Sequence, residues 1–409
     1  MTKSLIPRAN PDSETRSRYH HESHRTFLTV VPPDPRHAKK VDAIIVPTGR
    51  PATAMRHAIE LAAELRCALL ALCSKLSSAS EVTQLAKGKD VEVTAIDVGN
   101  LPDGLLPRFD TDYLMENSRF DRHTDTSLKR NVGLLIAHLI GWQRVVFLDD
   151  DITVPDPQHL RIAAGLTDRH DVVGLNIGGY PDNSVVCHAY REAGGPQSTF
   201  IGGGAIAVGA RSMKSFFPNI YNEDWFFLLG ESGLRPLAVT GSVIQEPYNP
   251  FAAQQRARLE ELGDCLAEGL FSLLDVGKTT MDATHRFWQR FLTNRRRFID
   301  DVIAMVADTV DDSDRRPQML AALRTARREN QLIRADQCLR YLAAWQADRG
   351  RWRQHLADRY AEHAEQARGI EKLMVALELA HATWHSRSPQ RLDEDAADLS
   401  VPLPVAVGQ

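Results

Sequence analysis

Three consecutive carboxylates, Asp149-Asp150-Asp151, close the apolar run Val145-Val146-Phe147-Leu148. Adjacent carboxylates repel one another, so keeping them side by side implies a cation, such as an oxygen-liganded Mg2+ or Mn2+. The run before them is rich in β-branched and aromatic types and reads as a buried strand. The acids then fall at its carboxyl end, where open α/β sheets place their ligands. A hard cation held there is suited to phosphate chemistry; the plain alternative is an acidic loop whose charges are solvated. Downstream, Gly202-Gly203-Gly204 presents either bare N–H groups to a ligand or a bend into a strand. Asn222-Glu223-Asp224-Trp225 reads as an acid pair able to move a proton, or as a helix start with Asn222 as cap and the acids facing the dipole.

The elements that must position these residues follow from apolar periodicity. Residues 1–40 are polar, rich in Arg, His, Ser and Pro, and offer no face to bury, so they are expected to form a disordered arm. Strands are expected over 42–47, 67–73 and 91–98, with an amphipathic helix over 52–65. A helix over 126–141 feeds the acid-bearing strand, and further strands follow at 171–175 and 205–208. This alternation predicts an α/β fold with a mostly parallel, Rossmann-like sheet over 41–256. From 257 to 388 strand signals stop, and Phe287, Phe291, Phe298, Ile303 and Val306 recur at helical spacing, predicting a C-terminal all-helical extension. Its Arg295-Arg296-Arg297 run reads as solvated surface, and Trp288, Trp345 and Trp352 as a candidate homodimer face. Residues 389–409 are acidic, then Pro-rich, and expected to be disordered.

Composition narrows the function. The 409 residues carry a formal net charge of -4, which gives no support for a nucleic-acid-coating surface. Five scattered cysteines without CxxC spacing suggest neither a zinc site nor a disulfide framework. No secretory signal is visible and the longest apolar run, 133–142, is too short to span a bilayer, so the cytoplasm is the expected compartment.

In this context the chain resembles the nucleotide-sugar glycosyltransferases of the GT-A fold, particularly family-two-like enzymes, over residues 41–251. Ala43-Ile44-Ile45-Val46-Pro47-Thr48 with Arg50 is similar to that family's opening strand and nucleotide-contacting loop. Lys129-Arg130-Asn131-Val132-Gly133 resembles its Arg-Asn-x-Gly helix start, and Val146-Phe147-Leu148-Asp149-Asp150-Asp151 its metal-binding strand. Phe200-Ile201-Gly202-Gly203-Gly204-Ala205 resembles the acceptor-side loop, and Asn222-Glu223-Asp224-Trp225 the Glu-Asp pair that supplies the base in inverting members. The resemblance implies a metal-dependent transferase moving a sugar from a UDP- or GDP-sugar to a small-molecule or sugar hydroxyl. Thr48, Arg50 and Arg130 would meet the nucleotide. Asp149 and Asp151 would hold Mn2+ or Mg2+, with Asp150 or Asp149 meeting ribose hydroxyls. Asp224, with Glu223 as alternate, would be the base. Gly202, Gly203, Gly204 and Trp225 would border the acceptor. A late histidine ligand common in such enzymes has no clear counterpart; His188 and His285 are candidates by elimination, and Gln245-Glu246 sits where one is expected.

Competing readings remain. Asp149-x-Asp151-x-Thr153 after an apolar strand also fits the first motif of haloacid-dehalogenase-like phosphatases, although that motif normally opens its domain and no downstream Lys and Asp-Asp set follows. A retaining GT-A enzyme acting on a small acceptor shares the metal motif, and a non-catalytic nucleotide-sugar-binding protein would need only the donor half.

Overall fold

Helices connect most of the strands, and a helical crossover returns the chain to start its next strand in the same direction. In the computed structural model, which describes residues 19, 24–116, 118–180, 183–196, 200–311, 314–363, 369–379 and 383–388, the strands are β1 (Thr29–Val30), β2 (Ala43–Thr48), β3 (Ala68–Cys73), β4 (Val93–Asp97), β5 (Arg144–Leu148), β6 (Ile152–Thr153), β7 (Val172–Gly179), β8 (Ala205–Gly209), β9 (Leu237–Gln245) and β10 (Trp384–Arg387). The helices are α1 (Arg56–Leu65), α2 (Ala79–Leu85), α3 (Asp110–Met115), α4 (Thr126–Ile140), α5 (Gln158–Leu166), α6 (Val185–Glu192), α7 (Glu223–Leu228), α8 (Gln254–Asp275), α9 (His285–Thr309), α10 (Arg315–Leu332), α11 (Ala335–His363) and α12 (Ile370–Ala376).

The sheet order is β1-β9-β7-β8-β5-β2-β3-β4-β10, with β6 pairing β9. β2, β3, β4 and β5 are mutually parallel, as are β7, β9 and β1, whereas β8 runs against both β5 and β7. The expected mostly parallel sheet is therefore present, with one reversed strand at its centre. The chain winds outward from β2 through β3 to β4 and then returns to the other side of β2 as β5. Strand order reverses between β2 and β5, and the carboxyl ends flanking such a switch point border the ligand crevice in open α/β sheets. Thr48 ends β2 and Asp149 follows β5.

Both faces of the sheet are covered. α1, α2 and α5 bury one face, with Ile44, Val46, Leu69, Val146 and Val173 pointing into that layer. On the other face α4 packs so closely that a Cβ on Gly133 would lie 2.7 Å from Ile45 Cγ2. This second core is continuous with the C-terminal helices, joining Phe147 and Phe217 to Trp288, Trp345 and Trp352. The three tryptophans are at most 1 % exposed, so they are interior residues of this chain and not a dimer face. Arg295 is likewise buried, paired with Glu261 and Asp264 of α8, which corrects its reading as solvated surface.

Two expected boundaries shift. Residues 24–40 form part of the fold: His24 is buried, β1 adds parallel to the edge of β9, and Lys39 donates to the Arg161 carbonyl of α5 at 3.0 Å. Edge pairing and the packing of Phe27, Leu28, Val31 and Ala38 against the two cores together order this segment. The extension is also not all helical, because β10 pairs antiparallel with β4 and caps the far edge of the sheet. The remainder of 1–23 and the tail 389–409 lie outside the described residues.

The N-terminal strap yields a test. A Cβ on Gly165 of α5 would lie 1.7 Å from the His37 carbonyl oxygen, a backbone atom that can move only with the strap. Glycine to alanine inside a helix normally stabilises by about 0.5–1 kcal/mol. Gly165→Ala is expected to reverse that sign, lowering Tm and raising amide exchange over residues 29–39, as read by differential scanning calorimetry and hydrogen-exchange mass spectrometry. An unchanged or raised Tm would show that the strap does not pack there.

Candidate functional site

The carboxyl ends of the parallel strands and the entry to β8 meet at one edge of the sheet. A cleft enclosing about 970 Å³ of empty space, its open mouth included, lies there. Arg130, Asp149, Gly203, Glu223, Asp224 and Trp225 are among its walls, together with Gly202 and Gly204. Thr48, Arg50 and Asp150 form a separate cluster on the β2 side of Asp149.

The first two aspartates turn to different partners. The Asp149 N–H donates to the Gly204 carbonyl at 2.8 Å, which extends the β5–β8 ladder by one residue, and the chain turns immediately afterwards. Each carboxylate of the first two acids then finds its own cation or hydroxyl. Arg130 Nη2 donates to both Asp149 oxygens at 3.1 Å. Thr48 Oγ1 donates to Asp150 at 2.7 Å, and Arg50 Nε at 3.0 Å, while a second Arg50 nitrogen reaches the Asp150 carbonyl at 2.6 Å. The like-charge repulsion that suggested a cation is therefore relieved in part by guanidinium groups. Asp151 sits in the turn leading to β6, its carbonyl accepting the Glu246 N–H at 3.0 Å. The β6–β9 pairing places Gln245 opposite Ile152, so Gln245 borders the cleft and Glu246 reaches Arg50 at 2.9 Å.

Among the described residues no three His, Cys, Asp or Glu side chains converge as a metal cage. The donor set instead suits an ion that arrives with a diphosphate, because Mg2+ binds through one or two carboxylates while keeping waters and substrate phosphate oxygens. His188 does not extend that set. It is fully buried, with one ring nitrogen on Tyr248 at 2.8 Å and the other on Arg191 at 2.9 Å. Burial, helped by Arg191, Arg256 and Arg315, pushes its pKa down to about 2. His285 pairs with Asp336 at the surface.

The acid pair begins α7. Asn222 stands at the N-cap position in a left-handed conformation (φ 62°), but its side chain makes no cap bond and donates instead to Asp264 of α8 at 3.1 Å. Glu223 is buried, accepting from Arg130 at 2.7 Å and lying 3.5 Å from Arg122. Asp224 instead accepts backbone N–H groups, from Gly203 at 2.6 Å and from Trp225 at 2.9 Å. Burial pushes the Asp224 carboxyl up to about 7, Glu223 adds to the rise, and Arg130 opposes it. Burial also raises the Asp149 carboxyl, against the pull of Arg130. Two neighbouring acids thus stand in different environments, one ion-paired and one held by neutral donors.

The glycines are closely packed. A Cβ on Gly203 would lie 2.7 Å from Arg130 Nη1, and one on Gly204 would lie 3.0 Å from an Asp149 oxygen. Trp225 packs against Phe271 with ring centroids 4.5 Å apart and against His24 at 5.3 Å, so the ring is anchored at the cleft wall by the N-terminal strap. His24 bonds Asp275 at 2.6 Å and Glu268 at 3.2 Å.

Sequence reasoning missed several residues here. Lys129 is buried beside Arg130 and donates to the Thr48 carbonyl at 2.8 Å and Ser74 Oγ at 2.7 Å, tying the ends of β2 and β3. Asp264 and Glu268 of α8 border the cleft from the helical region. Acids four residues apart within the largely apolar stretch 262–274 of α8 were the available signal, since burial of such a pair requires partners.

No protein-family profile matches the chain, and no curated protein matches it. Among solved structures it is similar to the mannosyltransferase PcManGT from Pyrobaculum calidifontis, in complex with GDP-Man and Mn2+, at 16 % identity and a TM-score of 0.42, over 80 % of this chain and 92 % of that one.

Proposed function

We propose that the protein is a metal-dependent, inverting GT-A glycosyltransferase that moves a sugar from a nucleotide diphosphate sugar to a hydroxyl acceptor. The observation that carries the reading is the placement of two unlike acid sites at the sheet's switch point. The triplet 149–151 stands at the end of β5, and Asp224 faces it across the glycine turn that enters β8. The donor would lie along Thr48, Arg50 and Asp150. Asp151, with the lone pairs of Asp149 that Arg130 leaves open, would hold Mn2+ or Mg2+, which neutralises charge on the departing diphosphate.

Transfer then needs one proton acceptor. As the acceptor oxygen forms its bond to the anomeric carbon, the bond from that carbon to the phosphate oxygen breaks and its electrons leave with the nucleotide diphosphate. The hydroxyl proton passes to Asp224. Glu223 is the poorer choice because Arg130 and Arg122 already claim its carboxylate. The raised pKa of Asp224 suits proton transfer near neutrality.

Nucleotide binding tests the donor half. A ligand that binds only the folded state at about 100 times its Kd stabilises by about 2.7 kcal/mol. UDP or GDP is expected to raise Tm by several degrees in the presence of Mn2+, and Asp151→Asn to remove the Mn2+-dependent part of the shift. The reading fails if no nucleotide diphosphate stabilises the chain, or if the shift is indifferent to both Mn2+ and Asp151.

A further inference from the structure

Arg130 resembled a nucleotide contact in the sequence, yet its surroundings leave little room for one. The side chain is only 3 % exposed although it borders the cleft. One terminal nitrogen donates to Glu223 at 2.7 Å and the other spans both Asp149 oxygens at 3.1 Å. Its guanidinium lies over the Phe217 ring, 5.5 Å from the centroid, and the backbone of Gly203 presses so near that a Cβ there would be 2.7 Å away. Phe217 is itself fixed, stacked on Phe227 of α7 with centroids 4.1 Å apart. A planar fork so placed holds direction as well as charge, which an ammonium group does not reproduce.

The two acids it joins belong to opposite halves of the cleft. Asp149 ends β5 on the donor side, and Glu223 opens α7, the helix that carries the Asp224 base. Within the glycosyl-transfer reading, on which this rests, we infer that Arg130 is a positioning residue that locks the donor-side strand end to the acid-bearing start of α7, and is not a contact for the nucleotide. The lock sets the separation between the anomeric carbon held over β5 and the carboxylate that receives the proton. A misplacement of about 1 Å in such a pair can lower rate by about a hundredfold without loss of binding.

The test compares wild type, Arg130→Lys, Glu223→Gln and the double variant, all first checked for cooperative thermal unfolding. Isothermal titration with UDP and with GDP in Mn2+ gives nucleotide Kd. Release of nucleotide from whichever UDP- or GDP-sugar the wild type consumes gives kcat. Arg130→Lys is expected to leave Kd within about twofold and lower kcat at least tenfold. Glu223→Gln should do the same, and the double variant should lose no more than the larger single loss, because partners in one contact are non-additive. A tenfold weaker Kd with kcat retained, or losses that multiply, would overturn the inference. If Arg130→Lys does not fold, Glu223→Gln, which keeps the side-chain shape, still decides by its own split between Kd and kcat. A wild type that binds no nucleotide diphosphate and releases none sinks the glycosyl-transfer reading instead. The Tm cycle of the same variants then still reports whether Arg130 and Glu223 act as one unit, and additive Tm losses would overturn the lock.

Discussion

Asp224→Asn is expected to lower kcat by about 10²- to 10⁴-fold, the range a positioned general base supplies, while nucleotide Kd stays close to wild type. The amide keeps the shape but offers one acceptor oxygen where the carboxylate uses two, so it keeps only one of the N–H bonds from Gly203 and Trp225, and the unchanged nucleotide Kd is what separates lost proton acceptance from lost packing. The wild-type pH dependence follows from the same group. Burial, with Glu223 nearby, pushes the Asp224 carboxyl up to about 7, and only the ionised form accepts a proton, so kcat should rise as pH passes through about 7. Stability carries the opposite sign. A carboxyl whose folded pKa lies above its unfolded value favours folding less as pH rises from about 4 to about 7. The Tm of Asp224→Asn relative to wild type should therefore rise between pH 4 and pH 8. A variant that keeps full turnover, or a Tm gap indifferent to pH, would show that Asp224 is neither the base nor strained by its charge.

The strand end at Leu148, the turn into β8 and the helix start at Glu223 were readable in the sequence, and the reason is local. An apolar strand ending in acids, and a glycine turn before another strand, are patterns written over a few neighbouring residues. The strands β2, β3, β5 and β8 and the long helix α4 were legible on the same ground. What escaped depended on distant partners. β9 was invisible because Gly241, at φ +56°, and the register shift opposite Leu175 and Asn176 break the period-two pattern that marks a strand. β1 is two exposed residues paired to the edge of β9. Arg130 read as a nucleotide contact because the acids that hold it, Asp149 and Glu223, lie far from it in the chain. α4 is buried nearly all round at its start, Lys129, Arg130 and Asn131 alike. The separate partners of Asp149 and Asp150 were equally hidden, since spacing in the chain does not say which cations lie across the sheet edge.

Gly203→Ala gives the second large effect, and it follows from space. The added methyl would lie 2.7 Å from Arg130 Nη1, 3.0 Å from its Cζ and 3.0 Å from Asp224 Cβ. None of these can retreat cheaply. The guanidinium is held at both ends by Asp149 and Glu223, and Asp224 Cβ is rooted in the first turn of α7. Either the glycine turn lifts, breaking the 2.6 Å bond from the Gly203 N–H to Asp224, or Arg130 leaves its acids. Both routes displace the acid-bearing start of α7 relative to β5, so kcat should fall by about a hundredfold or more, with about 1–3 kcal/mol of lost stability from overpacking. Gly204→Ala provides the graded comparison. Its methyl would meet the carboxylate end of the Asp149 side chain at 3.0 Å, where a few tenths of an ångström of movement suffice. Steady-state kinetics and thermal unfolding of the two variants should therefore rank Gly203→Ala well below Gly204→Ala in both rate and Tm. Equal effects would mean that the glycines serve only to admit a ligand, and that the packing of Arg130 against the turn does not set the site.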